Sequence, residues 1–256
     1  MKYQSSYAAC VWALTLASLP AVTVYQENFV GGNSTLQGQT PDTTSNFGGG
    51  TSGATWTSSS NWSDTGVKSA NADSNAFLPF TPQNGLVYTL SMGMDITNVT
   101  NSYFALGFTN ATNTGIPFAN APLNASPWGL LRGDQTLFSP ASELVTFRGT
   151  NATGRNDIPT SFLNPAGEGI FSIVLDTTST FWKASWFFTL PASSPTQLGS
   201  TFTYTTNPTI SHVGFGGRGN AVGTVSSFSL VAVPEPTSAL AGILLGAGLL
   251  RRKRRP

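Results

Sequence analysis

Between Tyr25 and Val233 the chain has no cysteine, and its single thiol, Cys10, lies near the amino terminus. No disulfide can staple that body, so its stability must come from packing over roughly 200 residues, a length sufficient for a sizeable core. Charge is nearly as scarce, at 9% of residues. That scarcity excludes helices built on Glu, Lys, Arg and Leu, and no stretch of the body repeats apolar residues at the 3.6-residue period of an amphipathic helix. No fixed-period repeat is present either, which excludes a propeller or β-helix. Histidine occurs once, as His212, and the body holds only three glutamates, Glu27, Glu143 and Glu168. A transition-metal cluster of Cys and His cannot be assembled from that set.

The formal charge of the whole chain, +1, hides an asymmetry. Five basic residues, Arg251, Arg252, Lys253, Arg254 and Arg255, crowd the carboxyl end, and Lys2 stands at the other. The body between them has six basic against ten acidic residues, a net of −4. Such a body has no electrostatic footprint for nucleic acid.

Both ends read as targeting segments. Met1 and Lys2 precede an apolar stretch over 8–19, with Pro20 and Ala21 where a cleavage region belongs. That order predicts a secretory leader over residues 1–24, helical in its apolar part and removed by signal peptidase, with the mature chain starting between Val22 and Tyr25. At the other end Val233, Pro234, Glu235 and Pro236 are followed by an apolar run over 239–250 and then the basic residues. The two prolines keep the short segment extended, where an enzyme can reach it. The apolar run is shorter than the roughly 20 residues of a comfortable spanning helix and suits a temporary membrane stop. Its basic flank holds the carboxyl terminus on the cytoplasmic side and places the body across the membrane. A plain carboxyl-terminal anchor is the competing reading.

Pro234, Glu235, Pro236, the apolar run and the five basic residues, in this order, resemble the PEP-CTERM sorting signal of bacterial envelope proteins. The resemblance covers residues 233–256. It implies an exosortase, a membrane-embedded transpeptidase-like enzyme, as partner, and a destination in the cell envelope or extracellular matrix after transient anchoring in the inner membrane.

The body, residues 25–232, reads as short strands separated by turns rich in Gly, Ser, Thr, Asn and Pro. Strands are predicted over 25–30, 76–78, 86–94, 103–108, 128–131, 144–147, 169–175, 181–189, 201–204, 212–215 and 225–231, the third of them after a turn at Gln83, Asn84 and Gly85, with 31–53 and 150–165 as loop-rich gaps. A split near the second gap would make two domains, whereas a single antiparallel two-sheet sandwich or jelly roll buries one face of every strand without helices. Glu27, Asn28 and Phe29, the segments 85–90 and 103–108, Val174 to Thr177 ahead of Trp182, and the pair 213–215 and 228–230 resemble the concanavalin-A-like lectin and glucanase sandwich. That resemblance implies an all-β fold. It leaves activity open, because the fold hosts lectins, glycosidases and structural modules.

The glucanases of that fold use carboxylates alternating along one strand. None of Glu27, Glu143 and Glu168 has a carboxylate two residues away, and so no catalytic residue is assigned and the chain is expected to be non-catalytic. A lone His212 beside Val213 reads as a packed strand residue rather than as part of a nucleophilic triad. Structural calcium would need oxygen ligands, for which Asp64 and Asp73 are the best pair, but turn-capping aspartates account for both and no metal site or cofactor is claimed. Sugar binding needs an exposed aromatic beside amides. Trp62, in a run of polar neighbours, and Trp128 are the candidates, with Trp56 behind them, whereas Trp182 and Trp186 share an aromatic strand and are expected to pack. Sequons at Asn33, Asn61, Asn98, Asn110, Asn124 and Asn151 read as surface turns and strands. The residues thus describe an exported, non-catalytic sandwich associated with extracellular polysaccharide, with a carbohydrate-binding module as the alternative and an atypical glycoside hydrolase behind it.

Overall fold

A computed structural model describes residues 20–68, 72–98, 103–110, 112–115, 118, 126–131, 144–149, 156–158 and 168–235. The apolar part of the predicted leader, the apolar run 239–250 and the basic tail lie outside them. Among the described residues no helix is long and apolar enough to cross a membrane.

Fourteen strands are described. The first seven are β1 (Val22–Glu27), β2 (Thr43–Thr44), β3 (Thr57–Ser58), β4 (Ser74–Pro79), β5 (Leu86–Asn98), β6 (Phe104–Thr109) and β7 (Trp128–Leu131). They are followed by β8 (Leu144–Phe147), β9 (Asn156–Ile158), β10 (Gly169–Asp176), β11 (Lys183–Thr189), β12 (Thr196–Thr203), β13 (His212–Gly217) and β14 (Val222–Pro234). They build two seven-stranded sheets, β12-β11-β10-β5-β14-β1-β2 and β3-β4-β13-β6-β7-β8-β9, with antiparallel pairing throughout. The all-β two-sheet sandwich expected from turn spacing is the observed architecture.

Period-2 alternation explains the first sheet. In β10, Phe171, Ile173 and Leu175 are buried while Ile170, Ser172 and Val174 face outward, and the paired Met92, Leu90 and Tyr88 of β5 bury the same side. The opposing inner face comes from residues such as Leu78, Leu106, Phe108, Val213 and Phe215. Burying one such side chain contributes about 1.5–3 kcal/mol, which is how a body without disulfides offsets its ordering entropy.

Two expectations change. The first strand runs over 22–27 and not 25–30, because Phe29 adopts a left-handed φ of 52° and the Glu27 carboxylate accepts its N–H at 3.0 Å. The compact unit is Ala21–Pro234, wider than 25–232 at both ends, since Val22 pairs with Ala232 and Pro234 with Leu86. The second gap does not divide the body: β9 lies within it and pairs with β8 at the edge of the second sheet. The register also sends the amino and carboxyl ends of the sandwich out at one pole, beside the start of β5.

Candidate functional site

The tryptophans expected to offer a sugar platform are in the core. Trp62 and Trp128 have no exposed surface, and neither does Trp56. The Trp62 indole donates to the Ser74 carbonyl at 3.1 Å and meets Phe215 edge-on with ring centroids 4.8 Å apart. Trp128 stacks on Phe147 at 3.8 Å and donates to the Gly149 carbonyl. Their N–H groups find internal acceptors, so burying the rings leaves no polar group unsatisfied. Trp182 and Trp186 pack as expected.

The carboxylates serve the loops. Glu27 is buried, and its second oxygen accepts the Trp56 indole N–H at 3.3 Å; burial, more than any other influence, pushes its pKa up. Asp64 accepts the Asn33 N–H at 2.7 Å, and Asp73 accepts the Gly219 N–H at 3.1 Å. The two aspartates of the calcium reading therefore tie down different loops. Among the described residues no cluster of three or more His, Cys, Asp or Glu exists. His212 shares a hydrogen bond of 2.8 Å with the Ser211 hydroxyl, and burial pushes its pKa down. Of the sequon residues, Asn33 is exposed and Asn61 donates to the Ser74 hydroxyl at 3.0 Å, while Asn124 and Asn151 lie outside the described residues.

A different constellation gathers at the pole where β5 starts. The β4–β5 turn brings Asn84, the β10–β11 loop brings Thr177, Thr178, Ser179 and Thr180, and the β12–β13 loop brings Asn207 around a hollow of about 360 Å³. Thr177, itself buried, is the knot beneath it. Its hydroxyl donates to the Gln83 carbonyl at 2.7 Å and accepts from the Leu86 N–H at 3.2 Å, so the turn and the loop hold one geometry. Trp182 fixes the two amides. Its indole N–H donates to Asn84 Oδ1 at 3.2 Å and its backbone N–H to Asn207 Oδ1 at 2.9 Å. Asn207 Nδ2 also donates to the Thr180 carbonyl at 2.9 Å. Asp176 Oδ1 accepts both the backbone N–H and the hydroxyl of Thr178.

With their oxygens engaged, the amides are oriented rather than free to flip. Asn84 keeps two N–H donors and Asn207 one, and the hydroxyls around them retain lone pairs. Phe181, which follows Thr180, is 53% exposed, a rare large apolar side chain at the surface. No lining residue is ionisable. The one carboxylate beside it, Asp176, is occupied by the hydroxyl and backbone N–H of Thr178, so the lining offers amides and hydroxyls and suits binding of a neutral, hydroxyl-bearing molecule. The sequence marked Asn84 only as part of a turn and gave Asn207 no signal at all.

No family model matches the sequence, and no curated protein matches it. Among solved structures, the metal-free VIP36 exoplasmic/lumenal domain aligns with a TM-score of 0.50 and 10% identity, covering 70% of this chain and 89% of that one. The same domain in its Ca²⁺/Man3GlcNAc-bound form gives 0.47 at 12% identity over 68% and 84%, and a Bauhinia forficata lectin in complex with GalNAc gives 0.45 at 10% identity over 85% and 99%. The likeness is one of fold: a lectin-like sandwich of two antiparallel sheets.

Proposed function

We propose that this chain is an exported, non-catalytic carbohydrate-binding sandwich, delivered to the cell envelope or extracellular matrix by its carboxyl-terminal signal. The observation that carries the sugar reading is the polar hollow at the β5 pole, where two oriented amides converge with the hydroxyls of Thr178, Ser179 and Thr180 and no lining residue is ionisable. Donors and acceptors in that proportion match the hydroxyls of a neutral sugar unit, and the volume falls at the low end of small-molecule sites. The hydrolase reading is less well served: Glu27 is buried with its two oxygens taken by the Phe29 N–H and the Trp56 indole N–H, and the carboxylate nearest in its surroundings, Asp42, is engaged by Asn28. Sorting by an exosortase is supported by the sequence order of Pro234, Glu235, Pro236, apolar run and basic tail.

The test is retention of the full chain on an array of neutral polysaccharides and oligosaccharides, with Asn84→Asp as the probe. Aspartate keeps the acceptor for the Trp182 indole but removes the outward donors, so binding should weaken about tenfold with folding intact, as expected for lost hydrogen bonds. Absence of retention across the whole array, or full retention by Asn84→Asp, would sink the assignment.

A further inference from the structure

We infer that the sandwich carries a second saccharide site at the far end of its first sheet and is therefore a bivalent linker of polysaccharide chains. This rests on the carbohydrate-binding reading above and extends it. A hollow of about 310 Å³ opens there, lined among others by Gly93, Glu168, Ile170, Thr189, Pro191 and Ser226. Its shape follows from two local departures from regular strand structure. The register of β14 on β5 shifts between Val225 and Ser227, a bulge that presents consecutive serines to Gly93. A side-chain carbon at Gly93 would stand 2.5 Å from the Ser227 hydroxyl and 2.8 Å from that of Ser226, so only glycine leaves both hydroxyls over an open floor.

Ile170 supplies the opposite character. It pairs with Gly93 on one side and Thr189 on the other and is 44% exposed, more so than the other outward side chains of β10, Ser172, Val174 and Asp176. Pro191 adds a second apolar surface, and Glu168, exposed at the entry to β10, adds a carboxylate that can accept from two hydroxyls. An apolar wall facing a rim of hydroxyl and carboxylate acceptors is complementary to a sugar ring, apolar on its face and hydroxylated at its edge. Glu168 selects against acidic sugars, as does the net charge of the body.

Strand β10 measures the separation. Gly169 lines the far hollow, and Asp176, seven residues on, ends at the near one, so the two lie about 23 Å apart at the rise of an antiparallel strand. Two sites on opposite ends of one rigid strand cannot share a single sugar unit. They hold two units of one polymer or join two polymers.

The experiment titrates the full chain with cellobiose, mannobiose and chitobiose, each too short to reach both hollows, and then mixes it with soluble mannan, hydroxyethyl cellulose and glycol chitin. We expect two equivalents of at least one disaccharide per chain, with one of them weakened about tenfold in Asn84→Asp and one lost in Ser226→Trp, which fills the far hollow. Ile170→Asp, at an exposed position, gives the same loss with less change in bulk. The wild type should cross-link the matching polymer and each single variant should not, with apparent affinity for immobilised polymer falling roughly 100-fold on loss of either site. A single equivalent in the wild type, or loss of all binding in Asn84→Asp alone, overturns the second site while leaving the first. No binding of any probe overturns the carbohydrate reading itself.

Discussion

Replacing Trp62 by alanine separates a core tryptophan from a sugar platform more sharply than any other single change. Its ring has no exposed surface, packs against Phe104 and Phe215 at centroid distances of 5.9 and 4.8 Å, and donates to the Ser74 carbonyl. Truncating a buried aromatic to alanine costs about 3–5 kcal/mol in lost transfer energy and cavity, and a buried carbonyl left without its donor adds about 1 kcal/mol or more. The sum, about 4–6 kcal/mol, is a large fraction of the roughly 5–15 kcal/mol that stabilises a typical domain. At about 2–4 °C per kcal/mol for a domain of this size, the midpoint of thermal unfolding should drop by about 10–20 °C. Trp62→Phe keeps most of the packing and loses the N–H, and should fall by about 1–2 kcal/mol. The assay is thermal and urea unfolding followed by circular dichroism, run beside glycan retention at a temperature where the variant is folded. A Trp62→Ala protein with an unchanged midpoint and no glycan retention would refute the buried placement and restore the platform.

Glu27 gives a pH signature. Burial raises its folded pKa above the ordinary value of 4.5, so the folded chain holds this proton more tightly than the unfolded one, and the resulting stability is present below that value and lost as pH rises through the folded pKa. Unfolding midpoints should therefore show wild type losing ground to Glu27→Gln on going from pH 4 to pH 7; a gap that stays constant would remove the proton from the account. For sorting, combined Pro234→Ala, Glu235→Ala and Pro236→Ala should leave uncleaved protein in the membrane of the producing cell, whereas the wild type is processed. Intact mass of both proteins decides it, and identical processing would mean that the motif is not the signal.

Much of the first sheet was legible because its strands have one wet face. Alternation over 169–175 and the Gln83, Asn84, Gly85 turn located β10 and the start of β5 within a residue. Legibility failed where polarity and exposure part company. Asn61, Ser63 and Asp64 made Trp62 look like a surface residue, yet Asn61 bonds Ser74, Ser63 shares a hydrogen bond with Thr65 and Asp64 holds the Asn33 backbone. These contacts form a polar collar beneath which the indole turns inward. β9 escaped notice because three residues, Asn156–Ile158, are too few to show a period. The near hollow could not be read at all, since its residues come from positions 84, 177–180 and 207 and meet only when three loops converge.

The two sheets differ in how their outer faces are covered. In the second sheet, β6, β7 and β8 are buried on both faces: Phe104, Leu106 and Phe108 point into the sandwich, while Ala105, Trp128, Val145 and Phe147 form a separate apolar cluster with Phe77 and Phe118. Stacked rings such as Trp128 on Phe147 and Phe77 on Phe118 give that outer cluster the character of a second core. A sheet sealed in this way has no open face to offer over these strands. The outward positions of the first sheet instead stay half-exposed, with hydroxyls that bond across strands, Ser91 with Ser172 at 2.8 Å and Ser185 with Thr201 at 2.7 Å, among apolar Val87, Val174, Phe187 and Val231. Both hollows open on this sheet or its loops. Side-chain burial thus divides the sandwich into one sheet covered on both faces over β6, β7 and β8 and one whose outer face is half-exposed.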